Sequence, residues 1–480
     1  MLFTIGVILL VRFIFIGIMG PMPQDAYYHF YGEHLSLSYY DHPPAIAYIL
    51  RFFTSIFGKK VYALKLADSV VTLLTIFSFY TLSKLFLSKH GTQKSVILFL
   101  STLMVTMLSL VSTPDVPLIL FWTLSLITLY HAIFLGKNIY WIWSGIMMGL
   151  SFDSKYTGLF LPLGTLLFVI FSKSHRKLIF SGWFWLSNFV FLVTILPVVI
   201  WNIQNNFASF RFQSAGRIQS MGGIHINPIE FLGVIGHQSA VLMPVLFFIL
   251  IFFLYRCFKK YLLKRSPLSA RQLFLFCYFI PVFFGFFTIS FIYWIKINWM
   301  MPAYISGIIL VSTYFKEKWI QYQLIFSLIV HLVLSIEILF YPVLIKSDDT
   351  WIGWDGLAAN VEQLKSKYPN AFIFAADDYK TSAELNFFSD SFVYSKNVIG
   401  EPALQFDFIG TDLNTLKGKD AIFLNSIPNF KSSLKENQFP PQLTEHFDSV
   451  TELDPILIKM GSRTVRKFLV FYCKNYHPGK

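Results

Sequence analysis

Ionisable side chains are sparse in the first 345 residues of this chain, and many of those outside its basic loops sit at the edges of apolar runs. Acids, imidazoles and isolated cations set against membrane-length apolar sequence usually mark chemistry or ligand binding. The densest group lies in Pro21–Ile56, whose core reads PMPQDAYYHFYGEHLSLSYYDHPPAIAYIL and carries Asp25, His29, Glu33, His34, Asp41 and His42. If 24–37 is helical, Asp25, Tyr28, Gly32 and Leu35 share one face by three- and four-residue spacing. That face can present the Asp25 carboxylate to a helix bundle, or Asp25 can simply cap the helix. Further on, the paired prolines of Tyr39-Tyr40-Asp41-His42-Pro43-Pro44 hold His42 in an extended conformation. They fix an acid and an imidazole at the start of the next apolar stretch; a polar turn before a helix with proline at its first position is the alternative.

Asp115, in VSTPDVPLILFW, joins Ser112 and Thr113 at a proline-bounded helix start, where it acts as a cap or as a buried functional acid. Lys155, in GLSFDSKYTGLF with Tyr156 beside it, lies between two apolar spans. It either neutralises a phosphate or pairs with Asp153. Lys296 in WIKINWMMPAY and the long-loop residues Arg211 and Arg217 are cations of the same kind, or ordinary exposed loop charges. Asp41 with its neighbouring histidines is a conceivable divalent-metal site, but the spacing follows no recognised ligand pattern.

The elements that must position these residues are membrane helices. The 480 residues are 55% hydrophobic and 14% charged, against about a quarter charged in soluble proteins. Mean hydropathy is +0.58. The net charge of +13 comes from Lys and Arg clustered between apolar spans, the place for orientation signals, so nucleic-acid binding is excluded as its explanation. Cys257, Cys277 and Cys473 are odd in number and lack metal-ligand spacing. The first twenty residues have no basic n-region or small-residue cleavage site and read as a retained signal-anchor helix. Within it, Arg12 is expected to snorkel or face the bundle, or else to meet a lipid phosphate.

About eleven spans of crossing length follow, near 2–20, 61–87, 95–111, 116–135, 139–152, 156–172, 178–201, 231–255, 271–294, 298–315 and 319–343. Residues 43–57 read as a re-entrant or interfacial helix. With eleven crossings the basic loops 88–94, 172–177, 256–271 and 316–318 fall together on the cytoplasmic face. Residues 21–60, the 112–115 and 153–155 turns, the 202–230 loop and the 294–298 turn then face outward. The composition changes after Ile345: 355–368 and 381–388 read as helices, and 371–376 and 420–425 as buried strands. The expected architecture is a polytopic α-helical membrane domain over 1–345 followed by a small α/β extramembrane domain over 346–480 on the outer face. That domain has no glycine-rich nucleotide fingerprint.

The ordered set QDAYYHFYGEHLSLSYYDHPP, STPDVPLILFW, GLSFDSKYTGLF and INWMMPAY resembles the bacterial GT-C polyprenyl-phosphate-sugar glycosyltransferases. These are relatives of the dolichyl-phosphate-mannose protein mannosyltransferases and of the aminoarabinose transferase that modifies lipid A. Segments GWDGLAANV and YKTSAELNFF are similar to the extramembrane domain of such proteins. One departure is that Gln24 precedes Asp25 where many relatives carry two adjacent acids. The resemblance implies a GT-C fold and an inverting transfer of sugar from an undecaprenyl-phosphate donor, outside the bacterial inner membrane. The acceptor would be lipid A, lipopolysaccharide or another glycolipid, and no nucleotide cofactor would be needed. It implies Asp25 as general base or as the carboxylate that positions the acceptor, Asp115 as the second acid, and Lys155, with His42, as the group that holds the departing phosphate. A protein O-mannosyltransferase-like enzyme using the same donor is the nearest alternative. A lipid transporter is a more distant one, because the acids cluster at outer loops and no repeated halves are visible.

Overall fold

Apolar runs become helices through residues 2–340, and the breaks between those helices are held by buried polar side chains. The computed structural model describes residues 2–216, 226–430 and 439–479. Among these, Val61–Phe86, Asp115–Phe134, Ala270–Ile289 and Glu317–Phe340 are each long and apolar enough to cross a membrane. Four bent helix pairs raise that number to as many as eight. The remaining spans expected from the sequence correspond to the shorter helices Ile139–Ser154, Tyr156–Phe171 and Met301–Ser312.

The chain divides into two compact units. The first comprises residues up to Ile16, His42–Ile46 and Lys65–Ser335. Here Arg12 is buried and faces the bundle. Its guanidinium donates to Leu100 O at 2.9 Å, Thr102 O at 3.1 Å and Thr106 Oγ1 at 2.9 Å. These acceptors lie at the 59° break between Lys89–Leu100 and Leu103–Leu110, where helix-end carbonyls lack intrahelical donors. Gln323 performs the same service at the 112° break after Leu242. It donates to Leu242 O and accepts from Leu246 N, both at 3.0 Å. Backbone groups freed inside a bundle need such partners because lipid supplies none. Helix Ile139–Ser154 approaches Gly182–Thr194 closely through Gly145 and Gly149. A Cβ on either would lie 2.4 Å from Ser187 O or from Thr194 Cβ, respectively. The four-residue spacing of the two glycines is the small-residue pattern that lets membrane helices touch.

The second unit comprises Gly17–Asp41, Ala47–Leu64 and residues from Ile336 on. Its centre is a six-stranded mixed sheet: β1 Phe372–Ala375, β2 Val393–Tyr394, β3 Ala421–Ser426, β4 Phe447–Glu452, β5 Ile456–Met460 and β6 Arg463–Tyr476. The order is β2-β1-β3-β6-β4, with β5 also paired to β6. β1 is parallel to β2 and β3, and β6 is antiparallel to its partners. Alternate residues serve two cores, as strand geometry requires. Ile373, Ile422 and Val470 pack with Trp354 and Leu357, while Phe374, Phe423 and Phe471 pack with Val398 and Leu443. Helices Trp354–Lys367 and Lys380–Phe388 flank the sheet. The two expected strands and two expected helices are present; the antiparallel pairing of β4 and β5 with β6 was not anticipated.

This unit also takes in the first half of the Pro21–Ile56 stretch. Helix Pro23–Glu33 is almost wholly buried. Tyr27 stacks on Tyr379 at 4.1 Å and Phe30 on Phe406 at 4.6 Å. Tyr40 N donates to Gln405 Oε1 at 2.7 Å, and Lys59 Nζ to Asn386 O at 2.8 Å. The helix ends at Glu33, four residues sooner than the expected 37. Leu35, 60% exposed, therefore does not continue a face with Asp25, Tyr28 and Gly32.

Candidate functional site

Two helices of the first unit, Asp115–Phe134 and Ile139–Ser154, are joined by a four-residue connection and pack as a hairpin. Antiparallel packing brings the start of one beside the end of the other, so residues forty positions apart meet. Asp115 begins the first helix after Pro114 and is 1% exposed. Its carboxylate sits at the positive end of the helix dipole. Lys155 follows the second helix in an extended conformation, and its amide still donates to Ser151 O at 3.1 Å. The next turn folds back so tightly that a Cβ on Gly158 would lie 2.4 Å from Phe152 N. Lys155 is thereby aimed at Asp115, and its Nζ donates to both carboxylate oxygens at 2.9 Å. The rival partner expected from sequence, Asp153, is not used.

Asn298 completes the arrangement by donating from Nδ2 to Asp115 Oδ2 at 2.5 Å. A buried carboxylate is thus met by a cation and an amide, which offset the cost of keeping it from water. Asn298 was missed in the sequence, although it lies within the quoted INWMMPAY segment. Lys65 and Asp68 were missed as well. They are fully buried one turn apart in Val61–Phe86; Lys65 Nζ donates to Leu110 O at 2.5 Å, and Asp68 accepts from Ser112 Oγ at 2.7 Å. A lysine and an aspartate at that spacing inside an apolar helix were the available signal.

Beside the pair lies a cavity of about 420 Å³ whose lining includes Lys155, Tyr156, His42, Gln213, Tyr293 and Trp299. Phe160, Leu163, Phe286 and Ile289 line it as well. Tyr156 is fixed by a 2.5 Å contact between its hydroxyl and Ser209 Oγ. An ammonium held at one wall of a largely apolar cavity suits an anionic group carried on a hydrocarbon tail.

The structure therefore brings Lys155, His42 and Tyr156 together around one cavity, with Asp115 behind Lys155 as its partner. Lys296 and Arg211 are exposed and are not among its lining residues. Arg217 lies outside the described residues. Asp25 and Tyr28 are buried in the second unit. The Asp25 carboxylate reaches back from the third helical position to accept from Met22 N at 2.7 Å, so it does cap its helix, though not as the N-cap residue. Asp41 accepts a hydrogen bond from the Tyr31 hydroxyl in the same unit. Among the described residues no group of three or more His, Cys, Asp or Glu is placed to hold a metal ion.

The bundle of broken helices and the sheet-bearing second unit define a class: this is an integral membrane protein of the GT-C fold. A crystal structure of ArnT from Cupriavidus metallidurans in the apo state aligns over 98% of this chain and 97% of its own, with TM-score 0.63 at 11% identity. The same protein bound to undecaprenyl phosphate gives TM-score 0.62 at 13% identity, with the same coverage. Residues 41–201 match the family described as dolichyl-phosphate-mannose-protein mannosyltransferase. The lipid A galacturonosyltransferase RgtD of Rhizobium johnstonii is 23% identical over 299 residues, which is 62% of this chain and 61% of that relative. In fold, and over these matched stretches, the chain is similar to GT-C glycosyltransferases.

Proposed function

We propose that this protein is an inverting glycosyltransferase that moves a sugar from a polyprenyl-phosphate donor to lipid A or a related envelope glycolipid. The observation that carries the reading is Lys155, held by Asp115 in a cluster with Asn298, at the wall of a largely apolar cavity. The relatives support it: one is a lipid A galacturonosyltransferase and another was solved with undecaprenyl phosphate bound. In the reaction an acceptor hydroxyl attacks the anomeric carbon, the bond from that carbon to the phosphate oxygen breaks, and polyprenyl phosphate leaves. Negative charge grows on the phosphate, so Lys155, already held in place, stabilises the transition state more than the ground state. His42 and Tyr156 supply further polar contacts at the same wall. The proton lost by the acceptor passes to a carboxylate. Asp25 takes that role on its motif alone, with Asp115 as the second acid that holds the lysine. The active face is the outer face of the bacterial inner membrane, as the distribution of basic loops argues. A divalent ion near Asp41 is part of this reading only if transfer responds to chelation.

The test supplies the purified full chain with labelled undecaprenyl-phosphate sugars and, separately, lipid A and peptide acceptors. Labelled lipid A is expected, and Asp25→Asn and Lys155→Gln should each abolish it in protein that inserts normally. Labelled peptide in place of lipid A would favour the protein O-mannosyltransferase alternative. No transfer from any lipid-linked sugar would overturn the enzyme reading.

A further inference from the structure

A second place in the first unit pairs an apolar groove with concentrated charge. It lies at the end of Pro244–Cys257, which carries on as a widened turn over Phe258–Leu263. In that turn Lys264 N reaches back five residues to Lys259 O at 3.1 Å. Residues 256–271, RCFKKYLLKRSPLSAR, contain six cations and no acid. Four of them, Arg256, Lys259, Lys260 and Lys264, line a cleft of about 610 Å³ together with Phe252 and Tyr314.

The cleft is continuous with a trough of similar volume. Both are lined by Phe252, Arg256 and Tyr314, and the trough runs on along Phe248, Ile249 and Trp319 with Lys316 at its edge. Phe248, Phe252 and Trp319 are between 42% and 59% exposed, so the trough is an open apolar surface. No acidic residue lines either part. The nearby Glu317 is already engaged by Lys94 at 3.0 Å and His90 at 3.2 Å. Among the described residues no carboxylate pairs with Arg256, Lys259, Lys260 or Lys264. An orientation signal needs only the count of basic residues in a loop. It does not need them gathered at the mouth of an apolar groove.

We propose that this trough and cleft form a binding site for an anionic glycerophospholipid on the membrane face that carries the basic loops. One acyl chain lies along Phe248, Ile249 and Phe252, and the phosphate enters the cleft among Arg256, Lys259, Lys260 and Lys264. Basic pockets between membrane helices at the headgroup level recognise acidic lipids in this way. Tyr314 and Trp319 stand at the boundary between the two environments, where amphipathic rings are favoured.

The test uses the full chain, delipidated in detergent, and native mass spectrometry with added dioleoyl phosphatidylglycerol or dioleoyl phosphatidylcholine. The wild type should bind the anionic lipid at least about tenfold more tightly, since each basic side chain near an acidic surface contributes roughly fivefold. The variant Lys259→Gln/Lys260→Gln/Lys264→Gln should cut that preference at least about tenfold, leaving no more than the roughly fivefold that Arg256 contributes. A control with Lys173→Gln/Lys177→Gln, changed in a different basic loop, should keep the preference. All these side chains outside the control are exposed, so unchanged melting in phosphatidylcholine is expected and separates lost binding from lost folding. Equal binding of both lipids by the wild type would overturn the proposal, as would retention of the preference by the triple variant. So would equal competition by soluble glycerophosphoglycerol, which has the headgroup and no chain.

Discussion

Replacing Lys155 with methionine removes the charge while keeping a side chain of similar length. Two unit charges 2.9 Å apart attract by about 6 kcal/mol at an effective dielectric of about 20. Both partners are nearly buried, so desolvation takes back part of that attraction, and breaking such a pair from one side typically costs about 3–5 kcal/mol. The cost comes mainly from the stranded Asp115 carboxylate, to which Asn298 still donates but which has no cation. Asp115→Asn combined with Lys155→Met leaves nothing charged, and it should cost at least about 2 kcal/mol less than the two single changes added together. Sodium dodecyl sulfate titration of the purified full chain, followed by circular dichroism, gives the four stabilities needed for the cycle, those of the wild type, the two single variants and the double variant. The double variant should fold and yet transfer no sugar, because it lacks the cation the leaving phosphate needs. If the single costs add to within about 0.5 kcal/mol, the pair is not coupled and the geometric account of Lys155 fails.

Two further outcomes follow from other parts of the chain. Burial, with Asp348 nearby, pushes the Asp377 carboxyl up to about 7, even though it accepts from Thr381 Oγ1 at 2.6 Å. The folded state then holds a proton that the unfolded chain, titrating near 3.8, has already given up. Asp377 should therefore destabilise its unit progressively as pH rises from about 4 to about 7, and no further above that. Asp377→Asn should slow hydrogen exchange of the 372–375 peptide at pH 7.5 and leave it unchanged near pH 4, after correction for intrinsic rates; equal effects at both values would refute the assignment. Gly149→Val should destabilise the bundle by about 3 kcal/mol or more, because the new side chain meets Thr194 with no room to move. The detergent melting temperature of Gly149→Val against that of Gly236→Val, where a Cβ meets nothing within 4 Å, measures it; equal melting would sink the packing argument.

What could be read from the sequence was whatever depends on local pattern. Strands 371–376 and 420–425 stood out because continuous apolar runs bounded by turn residues need a buried sheet. The β4–β6 strands did not, since an amphipathic hairpin such as TELDPILIKMGSRTVRKFLV alternates irregularly and only pairing decides its register. For the site, residue types placed Asp115 and Lys155 near the ends of spans, but proximity in sequence offered Asp153 as the lysine's partner. The true pairing depends on the antiparallel hairpin of two helices and on a glycine turn that re-aims the lysine. No spacing rule contains that information. Arg12 shows the same limit from the other side. An arginine inside an apolar helix signalled a role, yet its role is set by carbonyls exposed at a helix break some ninety residues away. The buried polar residues of this bundle therefore fall into two kinds. Arg12 and Gln323 are tied by hydrogen bonds to the backbone of broken helices, while Lys155 spends its charge on a carboxylate beside an open cavity. Only the second kind can exchange its partner for a ligand without unpicking the fold, and that distinction is why the proposed reaction assigns the phosphate to Lys155 rather than to Arg12.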